Sequence, residues 1–81
     1  MERNLNLEEC IGKTFRHFKG GLYEFVCIAK HTETMEDMVI YRSLNKGNEG
    51  SVFARPKDMF LEKVDKVKYP EVKQEYRLEL I

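Results

Sequence analysis

Residues 12–29 read Gly12-Lys13-Thr14-Phe15-Arg16-His17-Phe18-Lys19-Gly20-Gly21-Leu22-Tyr23-Glu24-Phe25-Val26-Cys27-Ile28-Ala29. Two runs rich in β-branched and aromatic residues flank Gly20-Gly21, and adjacent glycines suit a two-residue hairpin loop because both can adopt positive φ. The stretch therefore predicts a hairpin of strands over 13–19 and 22–29. Its loop fixes the register, which places these residues opposite one another: Lys19 and Leu22, Phe18 and Tyr23, His17 and Glu24, Phe15 and Val26.

Apolar side chains lie on both faces of this predicted hairpin. An open antiparallel sheet with one solvated face carries them on one side only. In the predicted register Phe15 lies on one face, whereas Tyr23 and Phe25 lie on the other. A strongly coiled hairpin, in which part of each face turns inward, explains this pattern better than a flat sheet does.

The rest of the chain alternates further strand patterns with turn signals. We predict strands over 38–43, 51–55 and 76–81, a helical turn over 7–11 and a short helix from Pro56 to about residue 62, with residues 63–75 as an exposed connection. The fold class is mainly β: a small SH3-like β-roll or barrel of about five antiparallel strands with one or two short helical turns. We expect residues 1–81 to form a single domain.

Composition limits the classes of function. The 81 residues carry 14 Lys and Arg against 14 Asp and Glu, so strong non-specific binding to nucleic acid is not indicated. There is no apolar run of the ~20 residues that a membrane span needs, and the first residues lack the features of a signal peptide. We therefore expect a cytoplasmic protein, a monomer or small homo-oligomer without a membrane partner, in which Cys10 and Cys27 are reduced thiols.

Four blocks of sequence, in order, resemble the bacterial domain-of-unknown-function family 1653. They are the run from Gly12 to Gly20 followed by Tyr23, then His31-Thr32-Glu33-Thr34, then Met38-Val39-Ile40-Tyr41-Arg42, then Arg55-Pro56 with Met59-Phe60. The family-like core covers 12–62, and the C-terminal connection and last strand occupy 63–81. The resemblance implies a small SH3-like β-roll in the bacterial cytoplasm, with no known activity and no functional residues to carry over. The chain departs from the family at Phe53, where Trp is usual, and over 69–74, where a shorter connection is usual.

Three arginines on predicted strands are the first candidate site residues. Arg16, Arg42 and Arg55 stand beside aromatic residues or proline, and a guanidinium group reads phosphate or carboxylate by paired hydrogen bonds. In the functional interpretation these arginines converge with Tyr23 and Tyr41 on a groove for an anionic ligand. In the structural interpretation they pair with Glu24, Glu33 or Glu36.

The two histidines are the other candidates. His17 is either a general base or anion contact, or a hairpin residue paired with Glu24. His31 and Glu33 form either an acid–base pair or ligand contact, or a tight turn in which polar side chains satisfy backbone amides. The order C-x6-H-x9-C-x3-H matches no zinc pattern, so we predict no metal and no cofactor. The lysines at 63, 66 and 68 are interpreted as a solvated face.

The function predicted from these residues is a binding or interaction module. Its arginine–aromatic groove takes a peptide or an anionic ligand, with a weakly bound nucleic acid as one such ligand. The first alternative is a small enzyme that uses His31 and Glu33. The second is a structural protein that forms oligomers.

Overall fold

The computed structural model describes residues 5–81, which form five strands and two short helices. A 3₁₀ helix covers Leu7–Cys10, and the remaining elements are β1 Thr14–His17, β2 Leu22–Lys30, β3 Asp37–Ser43, β4 Val52–Pro56, helix α1 Lys57–Phe60 and β5 Leu78–Leu80. The side chain of Asn6 accepts a hydrogen bond from the amide of Glu8, which caps the 3₁₀ helix. Pro56, which has no amide hydrogen, ends β4 and precedes α1.

The five strands form one antiparallel sheet in the order β4-β3-β2-β1-β5. β4 and β5 are therefore the two edge strands. The predicted mainly β fold, with about five antiparallel strands and short helical turns, is confirmed. Within residues 5–81 no helix is long and apolar enough to cross a membrane.

The predicted loop of the first hairpin is wrong. β1 ends at His17, and Phe15 pairs with Tyr23 rather than with Val26, a shift of three residues. Residues 18–21 form the turn, closed by the His17 amide donating to the Gly21 carbonyl at 2.7 Å. The physical reason lies in the turn itself: the amide of Gly20 donates to the carbonyl of His17 at 2.7 Å and the amide of Lys19 donates to Nδ1 of His17 at 3.1 Å, so Phe18 and Lys19 belong to the turn and not to β1.

The shifted register also corrects the predicted faces. Because side chains alternate along a strand, a shift by an odd number of residues moves Phe15 to the other face. Phe15 and Phe25 are both completely buried on one face, with ring centroids 6.2 Å apart. A bulge between Phe25 and Cys27 then lets Ile28 also pack against the core.

Phe60 lies at the centre of this core. Its ring is fully buried and contacts Phe15, Phe25 and Tyr41 at centroid distances of 5.2, 6.0 and 5.9 Å. The helix that carries it, α1, covers the inner face of the sheet on the side of β3 and β4. Its neighbour Met59 remains 43% exposed, so α1 contributes one large side chain to the core.

The connection after α1 is more tightly held than predicted. Val64 is buried, and its amide donates to the carbonyl of Glu75. The amide side chain of Gln74 donates to the carbonyls of Arg16 at 3.0 Å and Tyr76 at 2.8 Å. These hydrogen bonds attach the connection to β1, so the connection is part of the packed structure.

Candidate functional site

A half-open cavity of about 380 Å³ lies near the two edges of the sheet. His17 ends β1, Arg55 lies on the edge strand β4, and Arg77 immediately precedes the edge strand β5. All three line the cavity, so the sheet curves until its two edges approach one another. Residues 18, 19, 65, 68 and 69 supply the rest of the wall.

Most of the charged side chains in this wall are positive. The four cations are Lys19, Arg55, Lys68 and Arg77. The other lining residues are His17, Phe18, Asp65 and Tyr69. We refer to these eight residues as the cationic cavity.

Arg55 combines an aromatic contact with an unsatisfied donor. Its guanidinium carbon lies 5.9 Å from the centre of the buried Tyr41 ring, a cation–π distance. Its Nη1 is buried and has no hydrogen-bond partner anywhere in residues 5–81. Leaving a buried charged donor without a partner costs on the order of 1–3 kcal/mol or more, so Arg55 is a candidate ligand contact.

Arg77 is partly paired. Its Nη2 lies 3.1 Å from Oε1 of Glu62, and its backbone amide donates to the carbonyl of Glu62 at 3.0 Å. Its Nε is buried and, within the described part of the chain, unpaired. Arg77 therefore has a fixed position and one unused donor.

His17 is held as a neutral donor. Its Nδ1 accepts a hydrogen bond from the amide of Lys19 at 3.1 Å, so a neutral ring carries its proton on Nε2. Burial, followed by the nearby charges of Arg55, Lys19 and Arg77, lowers the pKa of His17 below its ordinary value of 6.5. Near neutral pH the His17 ring is therefore uncharged, and its Nε2–H group can donate one hydrogen bond.

Tyr69 and Phe18 form the aromatic part of the wall. Their rings meet edge to face at 5.0 Å, and the ammonium groups of Lys19 and Lys68 each lie 5.5 Å from the centre of the Tyr69 ring. Oδ1 of Asp65 accepts from the amides of Val67 and Lys68 at 3.0 and 3.2 Å. Asp65 thus shapes the turn that presents Lys68 and Tyr69.

Four of the eight candidate residues lie together at this site. His17 and Arg55 line the cationic cavity. Tyr41 lies beneath Arg55, and Tyr23 contacts both Tyr41 and His17, with ring centroids 5.2 and 6.4 Å apart. This cluster is the arginine–aromatic part of the predicted groove.

The other four candidates lie elsewhere. Arg16 and Arg42 occupy strand positions facing the opposite side of the sheet, and Arg42 pairs with Glu24 at 3.0 Å. His31 follows the far end of β2, and its Nδ1 accepts from the amides of Glu33 and Thr34 at 3.1 and 3.3 Å. The contact between His31 and Glu33 thus runs through the Glu33 backbone.

Sequence reasoning missed six of the eight lining residues: Phe18, Lys19, Asp65, Lys68, Tyr69 and Arg77. The sequence predicts Lys68 as part of a solvated face with the lysines at 63 and 66; it is exposed, and it also lines the cationic cavity. Lys66 instead donates to the carbonyls of Val72 and Gln74 within the connection. The available signal was the Lys68-Tyr69 pair, which repeats the arginine–aromatic pattern with a lysine.

A second cavity, of about 550 Å³, lies beside the 3₁₀ helix. Its wall consists of Glu8, Ile11, Phe25, Cys27, Ile28, Asp37 and Lys57. Asp37 already pairs with Lys30 at 2.7 Å. Over residues 5–81, none of its lining side chains has a buried polar atom without a partner, and no three His, Cys, Asp or Glu side chains come together to hold a metal. The cationic cavity is the stronger candidate.

Comparison with known proteins bears on the fold and the family. A family model described as "Protein of unknown function (DUF1653)" matches residues 13–79. The crystal structure of a DUF1653 protein from Bordetella bronchiseptica has a TM-score of 0.74 to this chain at 22% identity, covering 94% of this chain and 92% of the other. That identity supports the fold alone. None of the curated proteins matches the sequence. The family match extends beyond the predicted core of 12–62 and includes every residue of the cationic cavity.

Proposed function

This chain belongs to the DUF1653 family, and we propose that it is a binding module whose cationic cavity holds an anionic ligand. The resemblance seen in the sequence is confirmed by the family match over 13–79. The observation that carries the proposal is Arg55, which lines the cavity and whose buried Nη1 has no partner within the described chain. In this proposal the guanidinium group turns toward the bound anion, which removes the cost of leaving this donor unpaired.

The electrostatics of the cavity support an anion over a neutral or cationic ligand. Four cations surround one carboxylate in its lining, and one oxygen of that carboxylate, Asp65 Oδ1, is already used by backbone amides. Burial holds the pKa of His17 low, so its Nε2–H acts as an additional neutral donor. Charge-assisted hydrogen bonds from such groups are about twice as strong as neutral ones.

The form of the cavity favours a compact anionic group over an extended polymer. Its volume of about 380 Å³ lies near the lower end of the range for small-molecule sites. The predicted peptide and nucleic-acid ligands need a longer groove, and Arg16 and Arg42, which would extend one, lie on the other side of the sheet. A single anionic group is therefore the ligand we favour.

The enzyme alternative is less well supported. His31 accepts backbone hydrogen bonds at Nδ1, and His17 does the same. Within residues 5–81 neither ring is hydrogen-bonded to a serine or cysteine side chain, so neither histidine has an activated nucleophile beside it there. We also propose a cytoplasmic location, for which the unpaired thiols of Cys10 and Cys27 are the support.

The test is a two-dimensional amide NMR titration of the labelled protein with inorganic phosphate, sulfate, citrate and acetate at low salt. We expect the amides of His17, Lys19, Arg55 and residues 65–69 to shift together, and to shift less as salt screens the charges. Arg55→Gln is expected to weaken binding at least about tenfold, since a hydrogen bond to a charged group is lost.

Arg42→Gln is the matched control, because it removes an arginine from the opposite side of the sheet. It should leave the shifts near the cavity unchanged. If no anion moves these amides at low salt, or if Arg42→Gln weakens binding as much as Arg55→Gln does, the proposal is wrong.

A further inference from the structure

The charge balance of the cationic cavity indicates how much negative charge its ligand carries. The cavity has four cations, Lys19, Arg55, Lys68 and Arg77, and one carboxylate, Asp65. Glu62 pairs with Arg77 and offsets one further charge. Two positive charges then remain uncompensated, which matches a dianion better than a monoanion.

The hydrogen-bonding groups of the cavity point the same way. Arginine and lysine side chains only donate, and two buried arginine nitrogens, Nη1 of Arg55 and Nε of Arg77, lack partners in residues 5–81. His17 adds an Nε2–H. A carboxylate group offers two oxygens and one charge, whereas a phosphoryl group offers three oxygens and about −1.5 to −2 charges at pH 7. The phosphoryl group is the better complement.

The size of the cavity calls for more than a phosphoryl group. A volume of about 380 Å³ corresponds to roughly a dozen water molecules at about 30 Å³ each, several times the space that one phosphoryl group needs. The remaining wall contains the edge-to-face rings of Phe18 and Tyr69. These rings suit the carbon-containing part of an organic ligand, because apolar surface gains free energy when it leaves water.

We infer, as an extension of the proposed function on which it rests, that the ligand is a small phosphomonoester. Its dianionic phosphoryl group lies against Arg55 and Arg77, and its organic body lies against Phe18 and Tyr69. Lys19 and Lys68, whose ammonium groups each lie 5.5 Å from the centre of the Tyr69 ring, add positive charge beside that ring.

The test is isothermal titration calorimetry of the full chain with adenosine monophosphate, cyclic adenosine monophosphate, ribose 5-phosphate and inorganic phosphate. The two adenosine compounds share a base and a ribose but carry a dianionic monoester and a monoanionic diester, respectively. We expect adenosine monophosphate to bind at least about tenfold more tightly than the cyclic diester, because the diester gives up one charge-assisted interaction. We also expect at least one of the two monoesters to bind more tightly than inorganic phosphate.

Each contrary result has a distinct meaning. If adenosine monophosphate and the cyclic diester bind equally tightly, the inference that the ligand is a dianion is wrong. If inorganic phosphate binds as tightly as both monoesters, the inference that the ligand has an organic part is wrong. In either case an anion still binds, so the proposed function stands. If none of these ligands and none of the simple anions binds, both proposals are overturned.

A charge-removing variant gives an independent readout. Lys68→Gln is expected to weaken monoester binding by about two- to fivefold, the range for an exposed ion pair. The control is Lys46→Gln, which removes an exposed lysine from the loop between β3 and β4.

In the wild type, the phosphorus NMR signal of the bound monoester should titrate below the ordinary second phosphate pKa of about 6. An unchanged phosphate titration on binding contradicts the inference.

Discussion

At the scale of single residues, Arg55 shows a conflict between stability and binding. Its guanidinium group packs over the Tyr41 ring, yet its buried Nη1 has no partner in the described residues. Such a group is costly in the free protein and becomes favourable once an anion is bound. A residue that serves folding alone would be expected to have its donors satisfied.

We therefore predict that Arg55→Met stabilises the free protein while it abolishes anion binding. Methionine keeps an unbranched chain over Tyr41 and removes the unpaired buried donor, so the free energy of unfolding should rise by on the order of 1 kcal/mol. Urea unfolding followed by circular dichroism measures the change. A large loss of stability would show that Arg55 is part of the structural framework and would count against its role as a ligand contact.

His17 predicts how stability depends on pH. Its pKa in the folded state lies below the ordinary 6.5, so as pH falls through that value the unfolded chain takes up a proton more readily than the folded one. The free energy of unfolding should then fall as pH is lowered, since protons bind preferentially to the unfolded state. Above about pH 7.5 His17 is neutral in both the folded and the unfolded state, so it no longer contributes to the pH dependence of stability.

The check is a comparison of the wild type with His17→Gln in urea unfolding from about pH 7.5 to pH 5. The free energy of unfolding of His17→Gln should fall less steeply with decreasing pH than that of the wild type over the acidic half of that range. Equal slopes for the two proteins would mean that the folded structure does not disfavour the charged form of His17.

Residue chemistry alone identified part of the site. His17, Arg55, Tyr23 and Tyr41 were found because arginine, histidine and aromatic side chains stand out on strands. Arg77 was missed because its importance comes from its distance to β4, which depends on how the sheet curves and not on its sequence neighbours.

At the scale of elements, local patterns predicted what forms but not always how it pairs. The strands, the short helix after β4 and the N-terminal helical turn follow from β propensity, Pro56 and the Asn6 cap. The first hairpin was misplaced because the turn closes on His17, whose carbonyl accepts from the Gly20 amide and whose Nδ1 accepts from the Lys19 amide. One of these contacts is made by a histidine side chain, so a loop rule that considers Gly20-Gly21 alone does not include it.

Helix α1 provides a prediction at this scale. Phe60→Ala removes a fully buried ring at the centre of the core and should cost about 3–5 kcal/mol, which unfolds much or all of a small domain. Met59→Ala, on the exposed side of the same helix, should change stability by less than about 1 kcal/mol. Thermal or urea unfolding of both variants checks this, and similar losses for the two would contradict the assigned core.

At the scale of the whole molecule, the site arises from a sheet whose two edges approach without pairing. The edge strands are β4 and β5, with no ladder between them in the described residues, and along the chain α1 and residues 61–77 join them. Arg55 and Arg77 thereby reach one cavity from opposite edges. The family match and the similar crystal structure support the fold that brings them together, while the anion remains our proposal.

The most direct test of that proposal observes the arginine side chains themselves. In an arginine-selective nitrogen–proton NMR spectrum, recorded during titration with a phosphomonoester, we predict that the guanidinium signals of Arg55 and Arg77 shift and sharpen. The signal of Arg42, which pairs with Glu24 on the other side of the sheet, should stay in place. If the three signals move equally, or if none moves, the cationic cavity is not a specific anion site.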